Sequence, residues 1–420
     1  MPVELSERDR RLLEGREGEA AAFAMRIVAE MATITGAERL IDVTRAHVDS
    51  CLYHGQAGLD FAGRLAATDA RVRIPTTLNV GAIDLLHPAH ARTDPLEREA
   101  GRRQMDLYAA MGCRPTWTCA PYQLPDRPAF GEQVAWAESN AIVFCNSVLG
   151  ARTNRYGDFL DICAAITGRV PFAGLHRDEE RRATLVVHLD DILETLRASD
   201  ALFPTLGVIV GHLAGSSVAA IEGLPPTTTE DQLKALGAAA ASSGAVAMFH
   251  AVGITPEAPT LEAATGGAEG LPVVSVGPAE LRRARDELGA APGDRVGAVW
   301  LGTPHASLAE LERVAERLDD VSLRVPVWVN TSRDVLAEAE RSSTASALRE
   351  AGVRIVTDTC VYLAPMTGEV DGAVMTDSGK AAWYAPANTG VDVVFGSFDE
   401  CIRSAIAGRV ERDRALWGDG

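Results

Sequence analysis

Four segments of this 420-residue chain concentrate hydroxyl, thiol, carboxylate and amide side chains beside glycines, where loops can bring them to one ligand. The first, Ala46-His-Val-Asp-Ser-Cys-Leu-Tyr-His-Gly-Gln-Ala-Gly58, follows a short apolar run. It sets Ser50, Cys51, Leu52, Tyr53 and His54 on one loop, with Gly55 and Gly58 to turn it. The second, Pro75-Thr-Thr-Leu-Asn79, ends a strand pattern on hydroxyls and an amide suited to a carboxylate. The third runs from Thr118-Cys-Ala-Pro-Tyr122 through Trp136-Ala-Glu-Ser-Asn140 to Asn146-Ser-Val-Leu-Gly-Ala-Arg-Thr-Asn-Arg155. The fourth joins Thr357-Asp-Thr-Cys360 to Met375-Thr-Asp-Ser-Gly-Lys-Ala-Ala-Trp-Tyr384.

Each of these residues also has a plainer reading. Seven cysteines, an odd and scattered set, are buried thiols, metal ligands or a mixture. Cys113, Cys163 and Cys401 lie in or beside helical patterns and read as buried apolar thiols. Cys145 closes an apolar stretch one residue before the Asn146–Arg155 string. Glu138 follows Trp136 and Ala137, and a partly buried carboxylate there needs a partner or a task. Arg152, in an Asn-rich and Gly-containing frame, reads as an anion contact. His305, just ahead of the capping-box pattern Ser307-Leu-Ala-Glu310, reads as a ligand or, in preference, as a helix-entry residue. Gly211-His-Leu-Ala-Gly-Ser-Ser217 has no P-loop lysine and reads as a tight turn.

The elements that would carry these loops alternate. Leu12, Leu13, Ala21, Phe23, Ala24, Ile27, Val28 and Met31 recur at helical steps, and Glu97–Met111 is amphipathic. Leu40–Val43, Arg71–Pro75, Leu185–Leu189 and Leu206–Val210 read as strands. Beyond a Pro- and Thr-rich segment, Leu224–Glu230, strands at Val246–Phe249, Pro272–Val276, Arg295–Trp300, Val325–Val329, Arg354–Asp358 and Val391–Gly396 alternate with helical patterns. Those helices are expected at Glu280–Leu288, Leu308–Leu318 and Asp334–Glu350. This alternation predicts an α/β class with largely parallel sheets, divided at 224–230 into regions of approximately 1–223 and 231–420, with discontinuous subdomains as the alternative.

A net charge of −18, with no Lys/Arg run, argues against a nucleic-acid partner. The polar N-terminus lacks a signal-peptide core, and no apolar run reaches the roughly 18 residues of a membrane span. The expectation is a cytoplasmic protein without a membrane partner.

Taken together and in order, PTTLN, TCAPY, WAESNAIVF, NSVLGARTNR, TDTC and SGK resemble the aconitase X family, over nearly the whole chain. The resemblance implies a catalytic unit of packed α/β/α domains, as in aconitase. It also implies a mobile fourth domain, absent here and expected as a separate small aconitase X subunit. By the same resemblance Cys119 and Cys360 match cluster ligands. The third archaeal ligand lies in Gly-Cys-Pro-His, which here reads Gly302-Thr303-Pro304-His305. Threonine supplies no thiolate. Cys51, from the SCLYHG string of bacterial members, is therefore expected as third ligand, of a [2Fe–2S] cluster rather than [4Fe–4S], or of a mononuclear iron. Lys380, Glu138 and Ser139 match catalytic positions; Ser50, Cys51, Leu52, Asn79, Arg152 and Ser378 match substrate contacts. The implied activity is a hydro-lyase acting on a small hydroxy-acid, with cis-3-hydroxy-L-proline as substrate and mevalonate 5-phosphate as the alternative. Iron would act as Lewis acid on the leaving hydroxyl. A non-catalytic iron–sulfur sensor or regulator is the competing class.

Overall fold

The computed structural model describes residues 3–90, 92, 94–290, 293–363 and 370–418. The chain forms two compact units, Met1–Ile83 with Asp94–Arg182, and Asp84–Thr93 with Ala183–Gly420. The division falls at Arg182/Ala183 and not at the Pro- and Thr-rich segment. That segment is a turn inside the second unit, where Thr229 caps the helix Glu230–Ser243 in a capping box with Gln232. Pro and Thr mark a turn in either case, so composition could not tell a linker from a tight connection.

In the first unit three short strands, Thr76–Leu78, Ala46–Val48 and Ala135–Trp136, lie parallel in that order. Leu40–Asp42 pairs antiparallel with Arg169–Pro171. The expected strand at Arg71–Pro75 begins later, at Thr76. Ala141–Cys145, an apolar stretch, belongs to the helix Ser139–Ser147, buried on nearly every side.

The second unit holds two all-parallel sheets. The first orders Phe249–Ala251, Ala219–Glu222, Leu185–Leu189 and Val273–Val276. The second orders Arg354–Val356, Val327–Thr331, Val296–Ala306, Ala373–Thr376 and Val393–Phe395. Parallel strands need helical crossovers, which cover both faces and make the strands continuous apolar runs. Leu311, Val314, Leu336, Leu348 and Ile402 pack on Val299, Leu301 and Val329 in one core. Burying each such side chain is worth about 1.5–3 kcal/mol.

Two expectations failed on helices. Leu206–Val210 is no strand but the middle of the helix Leu202–Ala214, and His212 lies in its last turn, not in a loop. A helix apolar all round has no 3.6-residue contrast to read. Its Gly207 and Gly211 let Glu230–Ser243 approach closely: a Cβ on Gly207 would stand 2.4 Å from the Leu236 carbonyl. Asp334–Glu350 is two helices, Arg333–Arg341 and Thr344–Glu350, broken where Ser343 adopts φ +67°. Among the described residues no helix is long and apolar enough to cross a membrane.

Candidate functional site

In the second unit's five-stranded sheet, Val296–Ala306 is the central strand, and the chain winds outward from it in both directions. Such a switch point leaves a crevice at the carboxyl ends of the strands. There the register breaks between Leu301 and Ala306. Gly302 makes the break possible, with φ +72° and the Asn330 carbonyl where a Cβ would stand, 2.3 Å away.

Asn330 ties this end together. Its amide donates to the Leu301 carbonyl (3.0 Å) and to Thr303 Oγ1 (3.1 Å), and its Oδ1 accepts from the Val361 amide (2.8 Å). Thr303 is thus a buried hydrogen-bonding residue of the frame. The helix Leu308–Arg317 has its capping box on Ser307 and Glu310, as the pattern predicted. His305 takes no part in that cap. It is fully buried on the strand, and its Nε2 lies 3.1 Å from the Thr359 carbonyl. A carbonyl only accepts, so Nε2 carries the proton of this hydrogen bond. Ligand atoms of His305 and Cys360 lie within 4.8 Å of each other. Just before Cys360, Asp358 is held at φ +62° by Arg333 through bonds of 2.5 and 2.7 Å.

Ser378 caps the helix Gly379–Thr389, accepting from the Ala381 amide (3.0 Å) and donating to the Thr303 carbonyl. Lys380 follows in the first turn, 5% exposed. Both line a cavity of about 440 Å³ with Thr303, Lys234, Arg313 and Asp377. Burial, reinforced by the Glu310 charge, raises Asp377 to about 7. A buried cation beside this volume suits a small carboxylate.

The first unit gathers its own polar group at strand carboxyl ends, where Ala46–Val48, Thr76–Leu78 and Ala135–Trp136 lead into Asp49, Asn79 and Glu138. Asn79 donates to Asp49 Oδ1, while its own Oδ1, buried, has no hydrogen-bond partner among the described residues. Asp49 is raised to about 8, by burial first and then by the Glu138, Asp158 and Asp161 charges. Neighbouring Asp161 accepts from the Asp49 and Ser50 amides (2.7 and 2.9 Å), the Ser50 hydroxyl (2.8 Å) and the Ile162 amide (2.6 Å). Burial raises it only to about 6, because those donors stabilise its charge. His47 is pushed down to about 4 by burial and is neutral.

Several of the matched residues are engaged within the protein. Glu138 is the N-cap of Ser139–Ser147 at φ +73°; its carboxylate accepts from the Ala141 amide (2.8 Å), from Asn140 and from the Ser139 hydroxyl (3.1 Å). Ser50 sits in a chain, Tyr108 hydroxyl to Ser50 Oγ (2.9 Å) to Asp161, and the Leu52 carbonyl accepts from Gln104 (3.2 Å). These two build the loop. Cys51 is directed onto the Val48 and Asn79 carbonyls, both 3.4 Å away, and burial raises its thiol pKa well above the ordinary value. Among the described residues it belongs to no group of three potential ligands. Arg152 is engaged with Asp178 and the His176 carbonyl (3.4 Å). Cys113, Cys145, Cys163 and Cys401 are all buried. Cys119, also buried, has its carbonyl bonded by Asn140 (2.7 Å).

Sequence reasoning passed over Asp49, which stood inside the first segment, overshadowed by its hydroxyl and thiol neighbours; its place directly after a strand was the available signal. The ligand reading of His305 ranked behind the cap because the capping box lies so near.

Models of the aconitase X first, second and third domains match residues 2–179, 183–286 and 296–407. The cis-3-hydroxy-L-proline dehydratase of Pseudomonas aeruginosa is 43% identical over 418 residues, spanning 97% of this chain and 71% of that protein. The large subunit of phosphomevalonate dehydratase from Methanothermobacter thermautotrophicus is 38% identical over 411 residues, spanning 96% and 98%. The crystal structure of aconitase X from Thermococcus kodakaraensis in its holo-form superposes with a TM-score of 0.86 at 33% identity, covering 96% of this chain and all of that one. The family and the His305–Cys360 pair together suggest iron or iron–sulfur binding. With three consecutive domains matched and dehydratases as its full-length relatives, the chain belongs to the aconitase X family of hydro-lyases.

Proposed function

We propose that this chain dehydrates cis-3-hydroxy-L-proline, giving an enamine that tautomerises to 1-pyrroline-2-carboxylate. The observation that carries the reading is the 43% identity to a dehydratase of that substrate over 97% of the chain. Lys380, in the first turn of the helix that Ser378 caps and beside a cavity of small-ligand size, is assigned to the substrate carboxylate. Cys360 and His305 are assigned as ligands of iron, with Cys119 as the further ligand implied by family resemblance. When bound, that iron supplies Lewis acidity to the departing hydroxyl. Thr303 in place of a cysteine favours a [2Fe–2S] cluster or a single iron over [4Fe–4S].

Asp49, raised to about 8 and held in place by Asn79, is the group of the first unit proposed as a general acid. Glu138 fixes Ser139 and Asn140 and so shapes the loop around it. The base that takes the Cα proton is assigned to a small partner subunit. Relatives named as large subunits align over nearly their full length, consistent with such a division.

The test is an assay of the iron-loaded chain, with its partner, on cis-3-hydroxy-L-proline and on mevalonate 5-phosphate. Turnover of the hydroxyproline, lost in Lys380→Ala and in Asn79→Ala, supports the reading. Turnover of mevalonate 5-phosphate alone overturns the substrate. Iron binding with neither activity, unchanged in both variants, overturns the enzyme in favour of a sensor.

A further inference from the structure

The second unit contains another cluster of metal-ligating side chains, unrelated to the cysteines. Its segment Asp84–Thr93 carries Asp84, His87 and His90, whose ligand atoms all lie within 4.8 Å of one another. His87 Nδ1 is 3.0 Å and His90 Nδ1 3.9 Å from the same oxygen, Asp84 Oδ2. The two rings stack at 5.2 Å with planes 18° apart, which turns both nitrogens toward that carboxylate.

Three further observations separate this group from chance proximity. Asp84 is fully buried. Its Oδ1 accepts from the Leu86 and His87 amides (2.9 and 2.7 Å) and from the Thr357 hydroxyl (3.0 Å), and its Oδ2 from the Thr357 amide (3.0 Å). A carboxylate oriented by its surroundings in this way is the outer support that metal-binding carboxylates need. His90 Nδ1 is buried and has no hydrogen-bond partner among the described residues. Such a nitrogen costs free energy unless something is bound to it. Trp328 meets the His90 ring edge-on at 5.2 Å and fixes its plane.

We propose that Asp84, His87 and His90 form a second metal site, for a borderline divalent cation such as zinc, that latches the loop leading to Cys360. Two neutral imidazoles and one carboxylate suit zinc and its neighbours, not calcium or magnesium, which prefer all-oxygen shells. Binding at about 2.0–2.1 Å needs only modest side-chain rotation from the present separations. The cation displaces the proton that His87 shares with Asp84 and takes up the orphaned nitrogen of His90. The His87 and His90 side chains are 31% and 24% exposed, so water can fill the remaining position.

The latch follows from the other bonds. Asp84 holds both the amide and the hydroxyl of Thr357, and the Leu85 amide donates to Asp358 Oδ2 (3.0 Å). Thr357 and Asp358 lie directly before Thr359 and Cys360. A cation on Asp84 therefore fixes the strand end from which the cysteine projects, without touching it.

The experiment uses the full chain carrying Cys119→Ser and Cys360→Ser, stripped with a chelator and dialysed against zinc. One bound zinc per chain is expected by mass spectrometry, with a rise in melting temperature. Adding His87→Ala and His90→Ala should abolish both. Circular dichroism checks that the metal-free variants share one fold, and His90→Gln, a milder change at a partly exposed position, should weaken binding at least tenfold. Equal zinc content with and without the two histidines overturns the proposal, as does no zinc in the cysteine-only variant.

Discussion

Asp49 and Asp161 show how local hydrogen bonding sets the chemistry of two carboxyls in one buried neighbourhood. Asp161 has four donors and sits at about 6; Asp49 has Asn79 and sits at about 8. A carboxyl raised on folding stabilises the fold fully below its unfolded pKa, near 3.8, and loses that contribution as pH rises through about 8. His47, lowered to about 4, acts oppositely, stabilising above its unfolded value near 6.5 and failing as pH falls toward 4. Asp49→Asn should therefore flatten the decline in melting temperature between pH 5 and 8 while leaving the acid side unchanged. The same variant should lower kcat by about 10²–10⁴ if the group delivers a proton in the rate-limiting step. It should also remove the alkaline limb of the kcat profile near pH 8. An alkaline limb that persists in Asp49→Asn would end its assignment as the proton donor. At the metal, His305→Ala should cost most of the bound iron, measured by absorbance and metal analysis of anaerobically purified protein, whereas Cys51→Ala should retain it. Loss in Cys51→Ala with retention in His305→Ala would restore the ligand set expected from sequence.

At the scale of elements, the candidate residues of each unit stand at carboxyl ends of parallel strands, and cross-links between those ends hold them. Asn330 is the clearest case, since one side chain joins the Leu301 carbonyl, Thr303 and the Val361 amide next to Cys360. Asn330→Asp keeps an acceptor for Val361 but loses both donors and brings a carboxylate onto two oxygens. A buried group left so mismatched costs about 1–3 kcal/mol. The expected result is a folded protein with a lowered denaturation midpoint and reduced iron occupancy, read from denaturant titration and metal content. Unchanged iron with lowered stability would make Asn330 a fold residue alone. This coupling was invisible in the sequence, where Asn330 is one polar residue in the apolar run Val325–Thr331, 31 residues from Val361. The element types were easier to read where amphipathic, as in Leu308–Leu318, and hardest where burial is complete. Leu202–Ala214 is apolar on every face, and its two glycines mark close helix packing, which resembles a turn signal when read along the chain.

For the whole molecule, the parallel α/β architecture and the family were legible because strand-end loops carry unusual residue combinations in order. The substitution of Thr303 became informative once His305, two residues on, was seen near Cys360. What no single position could carry is the division of labour. The Pseudomonas relative extends well beyond the matched region, this chain covering 71% of it, whereas the archaeal large subunit is covered to 98%. In the division of labour proposed above, the chain binds iron and substrate and a small partner subunit supplies the base. The chain without that partner should bind cis-3-hydroxy-L-proline in calorimetry yet turn over about 10²–10⁴-fold more slowly, the usual contribution of a positioned base. Adding a small aconitase X subunit should restore kcat with little change in substrate affinity. Full turnover by the isolated chain would place the base on one of its own residues, with the carboxyls around Asp49 as first candidates.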